Sequence, residues 1–360
     1  MKKLLILSTI PVPYRTTVFL GLAERYDADI FFERSYDQNR NDKYFVEDKG
    51  FVLLNTEEAM RKYQNCLKCI KEYDLVLAYD YTSKMGMQLM MHCICNGVPY
   101  ALNCDGAFIN KNWLKDRIKR FFVSRASLYF CSGASARAYF LHYGADESKM
   151  HYHDFTSLVE SDIFNKIADS GEKNRLRQEN NIPNKTIVLT IGQFIHRKGF
   201  DILLKSWKDV CGDAHLLIVG GGEKLDEYKA YISENNMDNV SIIGFLDKKK
   251  VFEYYRASDV FVLPTREDVW GLVINEAMAC GIPVISSDMC IAGRELIEED
   301  RNGYVVPVEN AEALTKAIQI LISDPEKRLK MGKNNIDKMQ GNVMNNIVER
   351  HIEVIDAFFK

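Results

Sequence analysis

Proline is scarce in this 360-residue chain, eight residues against 21 glycines, too few for a collagen-like or proline-rich repeat. No apolar run reaches the roughly 18 residues that a membrane-spanning helix requires. Neither sign of charge prevails. The 47 basic and 50 acidic residues leave a net charge of −3, so nothing in the overall balance points to nucleic acid as a partner. A disulfide framework is disfavoured, because the nine cysteines are odd in number and sit mostly in apolar runs, as reduced thiols of a cytoplasmic protein do. Cys66 and Cys69 form a C-x-x-C, but the second pair that a structural zinc needs is missing, and no metal is expected. With 47% hydrophobic and 27% charged residues, the chain does not have the composition of a disordered one.

What is present is the length and pattern of a two-domain α/β protein. Met1-Lys-Lys-Leu-Leu-Ile-Leu-Ser8 imitates a secretory leader. The apolar run is short, however, and Pro11-Val12-Pro13 stands where a small-residue cleavage site would be. It reads as a buried first strand. Apolar runs at 28–32, 51–54, 74–78, 98–103, 127–131 and 149–153 alternate with helical patterns near 15–25, 57–71, 84–96, 112–125 and 134–143. That alternation predicts a parallel sheet covered on both faces. A polar stretch from Ser161 to Lys185 follows and is the expected boundary. The pattern then restarts, with strands at 186–191, 214–219, 239–243, 259–263, 283–286 and 303–306 and helices near 198–210, 223–236, 247–257, 271–280 and 310–325. Helical sequence continues from 326 to 358. The expected division is 1–165, 166–340 and a terminal helix at 341–360. Ligands of doubly wound sheets bind beyond the carboxyl ends of the strands, so two rows of loops facing a central cleft are the expected site.

The most informative segment runs from Val262 to Ile285 and reads strand, acidic loop, helix, glycine stop, strand. Arg266, Glu267 and Asp268 fall where a strand's carboxyl end meets a helix N-terminus. The backbone N–H groups of Val269, Trp270, Gly271 and Leu272 would point at a bound group there, and the helix dipole favours an anion such as a diphosphate. Gly271 allows close approach. Asp268 would offer its carboxylate to sugar hydroxyls. Glu276, one turn into the helix, would accept the two hydroxyls of a ribose. Helix capping alone accounts for Asp268 or Glu267; it accounts poorly for Glu276 inside an apolar helix.

An acid, seven residues and then a Glu across such a turn resembles the hallmark of glycosyltransferase family 4, the retaining nucleotide-sugar transferases of the GT-B fold (glycosyl transferases group 1). Asp268 and Glu276 take those places here, with Asp where the family more often has Glu. The resemblance implies two Rossmann-like doubly wound domains facing a cleft, acceptor on the amino-terminal half and donor on the carboxy-terminal half. The segment Gly192-Gln193-Phe-Ile-His-Arg197-Lys198-Gly199 is similar to the family's strand–loop–Lys-Gly segment, whose basic residues hold the donor diphosphate. Gln193 departs from the usual Arg, and Arg197 is the candidate to supply that charge. The backbone of Gly244, Phe245 and Leu246 is expected near the nucleotide base. Gly220-Gly221-Gly222 reads as a tight strand-to-helix turn, since the spacing for a dinucleotide fingerprint is incomplete.

In the first half, Tyr14 and Arg15 are candidates for acceptor contact. Asp105, after the fifth strand, is the candidate for the place where many members have a His that meets the transferred sugar; Asp-Gly is also a plain turn. The segment 111–125 carries six basic residues and one acid. Leu114, Ile118, Phe121 and Arg125 share one helical face, and Lys111, Lys115 and Lys119 another. It reads either as a helix resting on an anionic membrane or as a core-facing helix with a solvated basic face. The resemblance therefore implies a retaining, metal-independent transferase without cofactor. It would use a nucleotide diphosphate sugar, UDP-sugar favoured, and a saccharide or lipid-linked saccharide acceptor in surface polysaccharide assembly. Location is expected in the cytoplasm, peripheral on the inner face of the membrane. The alternatives are an epimerase or hydrolase of nucleotide sugars on the same fold, or a non-catalytic nucleotide-sugar binding protein.

Overall fold

The computed structural model describes residues 1–35, 50–109 and 112–360. They divide into two compact units, 1–157 with 343–360, and 158–342. The sequence pattern placed the divisions at 165/166 and 340/341.

The first unit runs β1 (Lys3–Ser8), α1 (Pro13–Arg25), β2 (Asp27–Phe32), β3 (Val52–Leu53), α2 (Glu57–Lys68), β4 (Leu75–Ala78), α3 (Lys84–Asn96), β5 (Tyr100–Cys104), α4 (Trp113–Val123), β6 (Leu128–Cys131), α5 (Ala134–His142) and β7 (Met150–Tyr152). Its strands form one sheet in the order β3-β2-β1-β4-β5-β6-β7, and every pairing is parallel. Alternation along β1 explains the two covered faces. Leu5 and Leu7 join a core that includes Tyr63, Leu89 and Phe140. Leu4 and Ile6 join another that includes Phe19, Leu22 and Ile355. Pro13 opens α1, where its missing N–H costs nothing.

The second unit runs α6 (Ser170–Glu179), β8 (Thr186–Gln193), α7 (Phe200–Trp207), β9 (Ala214–Gly221), α8 (Leu225–Glu234), β10 (Val240–Ile243), α9 (Lys248–Ala257), β11 (Val260–Leu263), α10 (Leu272–Ala279), β12 (Val284–Ser287), α11 (Ile291–Leu296), β13 (Gly303–Val306), α12 (Ala311–Ser323) and α13 (Pro325–Met339). The sheet order is β10-β9-β8-β11-β12-β13, again parallel throughout. Both units thus have the doubly wound order, in which the chain reverses direction across the sheet beside its first strand. Those switch points lie between β1 and β4, and between β8 and β11.

Two helices escape the sequence pattern. The polar stretch at 161–185 contains α6, whose buried residues are only Leu176 and Arg177. Ion pairs anchor it in place of an apolar stripe. Lys173 and Arg177 reach Asp259 at 2.5 and 2.7 Å, and Asp259 also accepts the Ile187 N–H at 2.8 Å. The six-residue α11 is too short to show a period. The terminal helical run breaks at Gln340–Val343. Beyond the break α14 (Met344–Phe358) belongs to the first unit. Ile347, Val354 and Ile355 pack with Phe19 and Leu22 of α1, and the Tyr26 hydroxyl donates to Asp356 at 2.8 Å.

Candidate active site

In the second unit, the loops after β8 and β11 meet at the switch point. After β8 the chain makes a short 3-10 turn, His196–Lys198, and leaves it through Gly199 at φ 68°. A Cβ on Gly199 would lie 2.1 Å from the Pro264 carbonyl oxygen, so only glycine lets the two loops touch. The contact is then hydrogen-bonded. The Arg197 carbonyl accepts from the Arg266 N–H at 2.8 Å and from the Thr265 hydroxyl at 2.9 Å. On its other side the β11 loop is laced to the start of α11. Asp268 N–H donates to the Met289 carbonyl at 2.9 Å, and the Ile291 N–H donates to the Asp268 carbonyl at 3.1 Å.

This cradle brings together the residues the motifs named. The Lys198 ammonium lies 2.5 Å from one oxygen of Asp268, with the two side chains only 12% and 13% exposed. Arg197 stands 3.6 Å from the other oxygen and is 43% exposed, while its guanidinium donates to the Glu267 carbonyl at 2.6 Å. The stem of Lys198 runs past Gly192. Burial first, then the Asp268 charge, push the nearby Cys290 thiol up to about 12, so it stays protonated. Gly271 caps α10 at φ 99°, and the helix N-terminus opens beside Asp268. Val269 is exposed, whereas the Trp270 ring is buried and donates its indole N–H to Asn275 at 2.9 Å. The Trp270 carbonyl accepts from the Ala292 N–H at 2.9 Å. Leu272 opens the helix and is half-buried.

Glu276 is half-buried and accepts a hydrogen bond from the Tyr255 hydroxyl at 3.0 Å. Tyr255, fully buried on α9, is a residue that the sequence reading missed; nothing in its spacing from Glu276 reveals the pairing. Burial and then Glu276 hold its phenol protonated. At the end of β8, Gln193 is half-buried and pairs in register with Gly221. Phe245, after β10, is 63% exposed and lays its ring against Gly221, flanked by exposed Gly244 and half-buried Leu246.

The first unit carries its own polar cluster at its switch point. Arg15, in the first turn of α1, reaches Asp105 at 2.6 Å, both side chains nearly buried. The second oxygen of Asp105 accepts from the Asn103 amide at 2.6 Å. Each oxygen thus accepts one hydrogen bond and keeps a second lone pair. Nη1 of Arg15 is buried without a protein partner and lines a cavity of about 20 Å³, room for about one water. Tyr14 stands edge-on to Phe155, with ring centroids 5.1 Å apart. Asn103, His153, Tyr79 and His351 complete the cluster. His351 donates from Nδ1 to the Ile347 carbonyl at 2.8 Å and so accepts at Nε2 from the Tyr79 hydroxyl at 2.9 Å. Burial drives its pKa down to about 3, with His153 adding to the effect.

Helix α4 gives a clear answer on its faces. Phe122 and Val123 are its buried residues. Trp113, Leu114, Ile118 and Phe121 are 73%, 54%, 41% and 37% exposed, so this apolar face does not serve the core. Lys115, Arg117, Arg120 and Arg125 are exposed around it. Lys111 lies outside the described residues. Among the described residues, no helix is long and apolar enough to cross a membrane.

Residues 172–338 match the family model for glycosyl transferases group 1. An uncharacterized glycosyltransferase of Haemophilus influenzae is 33% identical over 163 residues, 44% of each chain. Several curated relatives are matched over less than half of their length. The N,N'-diacetylbacillosaminyl-diphospho-undecaprenol alpha-1,3-N-acetylgalactosaminyltransferase of Campylobacter jejuni is 24% identical over 96% of both chains. Among solved structures, Anabaena HepE in complex with UDP shares the fold at a TM-score of 0.76, 18% identical, over 99% of this chain and 100% of that one. Residues 172–338 thus carry the likeness to the family of glycosyl transferases group 1.

Proposed function

We propose that this protein is a retaining, metal-independent glycosyltransferase. It moves a sugar from a nucleotide diphosphate sugar, UDP-sugar favoured, to a saccharide or lipid-linked saccharide acceptor in surface polysaccharide assembly. The observation that carries the reading is the pairing of Lys198 with Asp268 beside Arg197 and the N-terminus of α10, at the switch point of the second unit. Two cations and a helix dipole on one spot suit a diphosphate, on which negative charge grows as the sugar departs. Asp268 orients the sugar, Glu276 holds the ribose, and the loop of Gly244, Phe245 and Leu246 meets the base. Retention follows from the family resemblance, with the departing phosphate oxygen taking the acceptor proton on the face it leaves. The UDP bound to HepE and the undecaprenol-linked acceptor named for the Campylobacter relative support the donor and acceptor classes.

The exposed apolar and basic face of α4 supports an anionic membrane surface as a further partner, with the protein peripheral on the inner face.

The test is a thermal-shift and calorimetry panel of UDP, GDP, ADP, their sugars and NAD, without metal. A ligand at a hundred times its Kd should add about 2.7 kcal/mol of stability. Binding of one diphosphate nucleotide, lost in Lys198→Ala and weakened in Glu276→Gln, supports the reading. A panel flat for every nucleotide overturns it.

A further inference from the structure

Arg266 lies between the end of β11 and Asp268, and its side chain is only 15% exposed. All five of its side-chain N–H groups have acceptors. Nη1 donates to the His196 carbonyl at 2.7 Å and to Asp201 Oδ1 at 2.8 Å. Nη2 donates to Asp201 Oδ2 at 2.8 Å and to Glu309 Oε2 at 3.4 Å. Nε donates to Glu309 Oε1. Its own backbone N–H donates to the Arg197 carbonyl. One residue thus grips the turn carrying Arg197 and Lys198, the first turn of α7 and the segment before α12.

Two observations mark this as more than a surface ion pair. Glu309 holds φ at 62°, a left-handed conformation that a glutamate adopts only under constraint, and in that conformation it faces Arg266. Burial disfavours the charge of Asp201, yet hydrogen bonds from Arg266 outweigh it and keep the carboxylate below its usual range. Lysine, with three donors and no fixed fork, cannot reproduce this set of bonds.

We propose that Arg266 is a positioning residue. It fixes the His196–Lys198 turn against the Asp268 loop, and so sets where the Lys198 ammonium stands. The role of that ammonium toward a diphosphate rests on the proposed function; the positioning itself does not.

The experiment therefore has one arm without nucleotide. Full-length wild type, Arg266→Lys, Asp201→Asn and Glu309→Gln are labelled with N-hydroxysuccinimidyl acetate, and each lysine is quantified by peptide mass spectrometry. Lys198 should label at least threefold faster in Arg266→Lys and Asp201→Asn, and less so in Glu309→Gln, with half-buried Lys173 unchanged. Unchanged Lys198 labelling in all three variants overturns the proposal, as does an equal rise at Lys173, which would mark general loosening. In the second arm UDP affinity is measured by calorimetry. A loss of fivefold or more in Arg266→Lys at an unchanged melting temperature supports the proposal, and wild-type affinity in that variant overturns it. If wild type binds GDP or ADP in place of UDP, that nucleotide is used here; if it binds none of the three, the proposed function fails, and the labelling still decides the positioning role.

Discussion

Lys198 and Asp268 hold each other at 2.5 Å across loops 70 residues apart in sequence. Each is thereby the other's counter-ion while no anion is bound. A diphosphate must compete with Asp268 for the ammonium, and Asp268 repels it. Asp268→Asn should therefore raise the affinity for UDP, by roughly tenfold or about 1.4 kcal/mol, while lowering turnover with any sugar donor. Lys198→Ala should lower both. Calorimetry with UDP separates these outcomes, and weaker UDP binding in Asp268→Asn would show that the pair does not oppose the anion.

Glu276 and Tyr255 divide one hydrogen bond between stability and binding. Glu276→Gln keeps an acceptor for the buried phenol, whereas Glu276→Ala removes it. The Tyr255 hydroxyl also reaches the Val273 carbonyl at 3.3 Å, so the loss should sit at the low end of the range for an unsatisfied polar group, about 1 kcal/mol. Urea unfolding should show that loss in Glu276→Ala and little change in Glu276→Gln. UDP binding should weaken at least tenfold in both. Equal stability of the two variants would mean that the bond from Tyr255 contributes nothing.

Gly199→Ala should be among the most damaging single-methyl changes in the second unit. Its Cβ would overlap the Pro264 carbonyl oxygen, and φ 68° is unfavourable for alanine. A loss of more than about 2 kcal/mol is expected from denaturant midpoints. A near-neutral result would mean that the two loops part readily.

Acid should weaken the first unit. His351 has its pKa lowered to about 3 by burial and His153, and in the unfolded chain it returns to the usual range near 6.5. The unfolded state then binds more protons between those two values. The contribution of His351 is fully present above pH 6.5 and is lost as pH falls toward 3, with a slope approaching about 1.4 kcal/mol per pH unit. Buried His153, also shifted downward, acts in the same direction. Unfolding free energies of wild type and His351→Gln at pH 7, 6 and 5 should converge as pH falls. Parallel curves would show that His351 is not the acid-sensitive group.

The α4 surface is tested by sedimentation with vesicles. Each basic residue near an anionic bilayer is worth about 1 kcal/mol, so Lys115→Gln with Arg117→Gln should weaken binding to phosphatidylglycerol vesicles on the order of thirtyfold, and Lys115→Glu with Arg117→Glu by more. Trp113→Ala with Ile118→Ser should also weaken it, at unchanged melting temperature. Equal pelleting of the wild type with phosphatidylcholine vesicles would remove the electrostatic contribution.

The sequence by itself determined the strands and most of the helices, because a strand covered on both faces must be apolar along its whole length and a glycine must stand where two backbones touch. It also singled out Lys198, Asp268 and Glu276 as candidates, since they lie in short motifs whose spacing is local. Tertiary structure decided what those residues contact. Lys198 finds Asp268, Arg266 finds Asp201 65 residues away, and Glu276 finds Tyr255 on another helix. None of these pairings has a period, because ion pairs and hydrogen bonds depend on distance in space. Helix α6 escaped the pattern for the same reason: Asp259 fixes it through charge, and hydrophobic periodicity records only apolar burial. The face of α4 was decided there too, since an amphipathic pattern gives two sides but only the packing of Phe122 and Val123 says which one is left to the solvent.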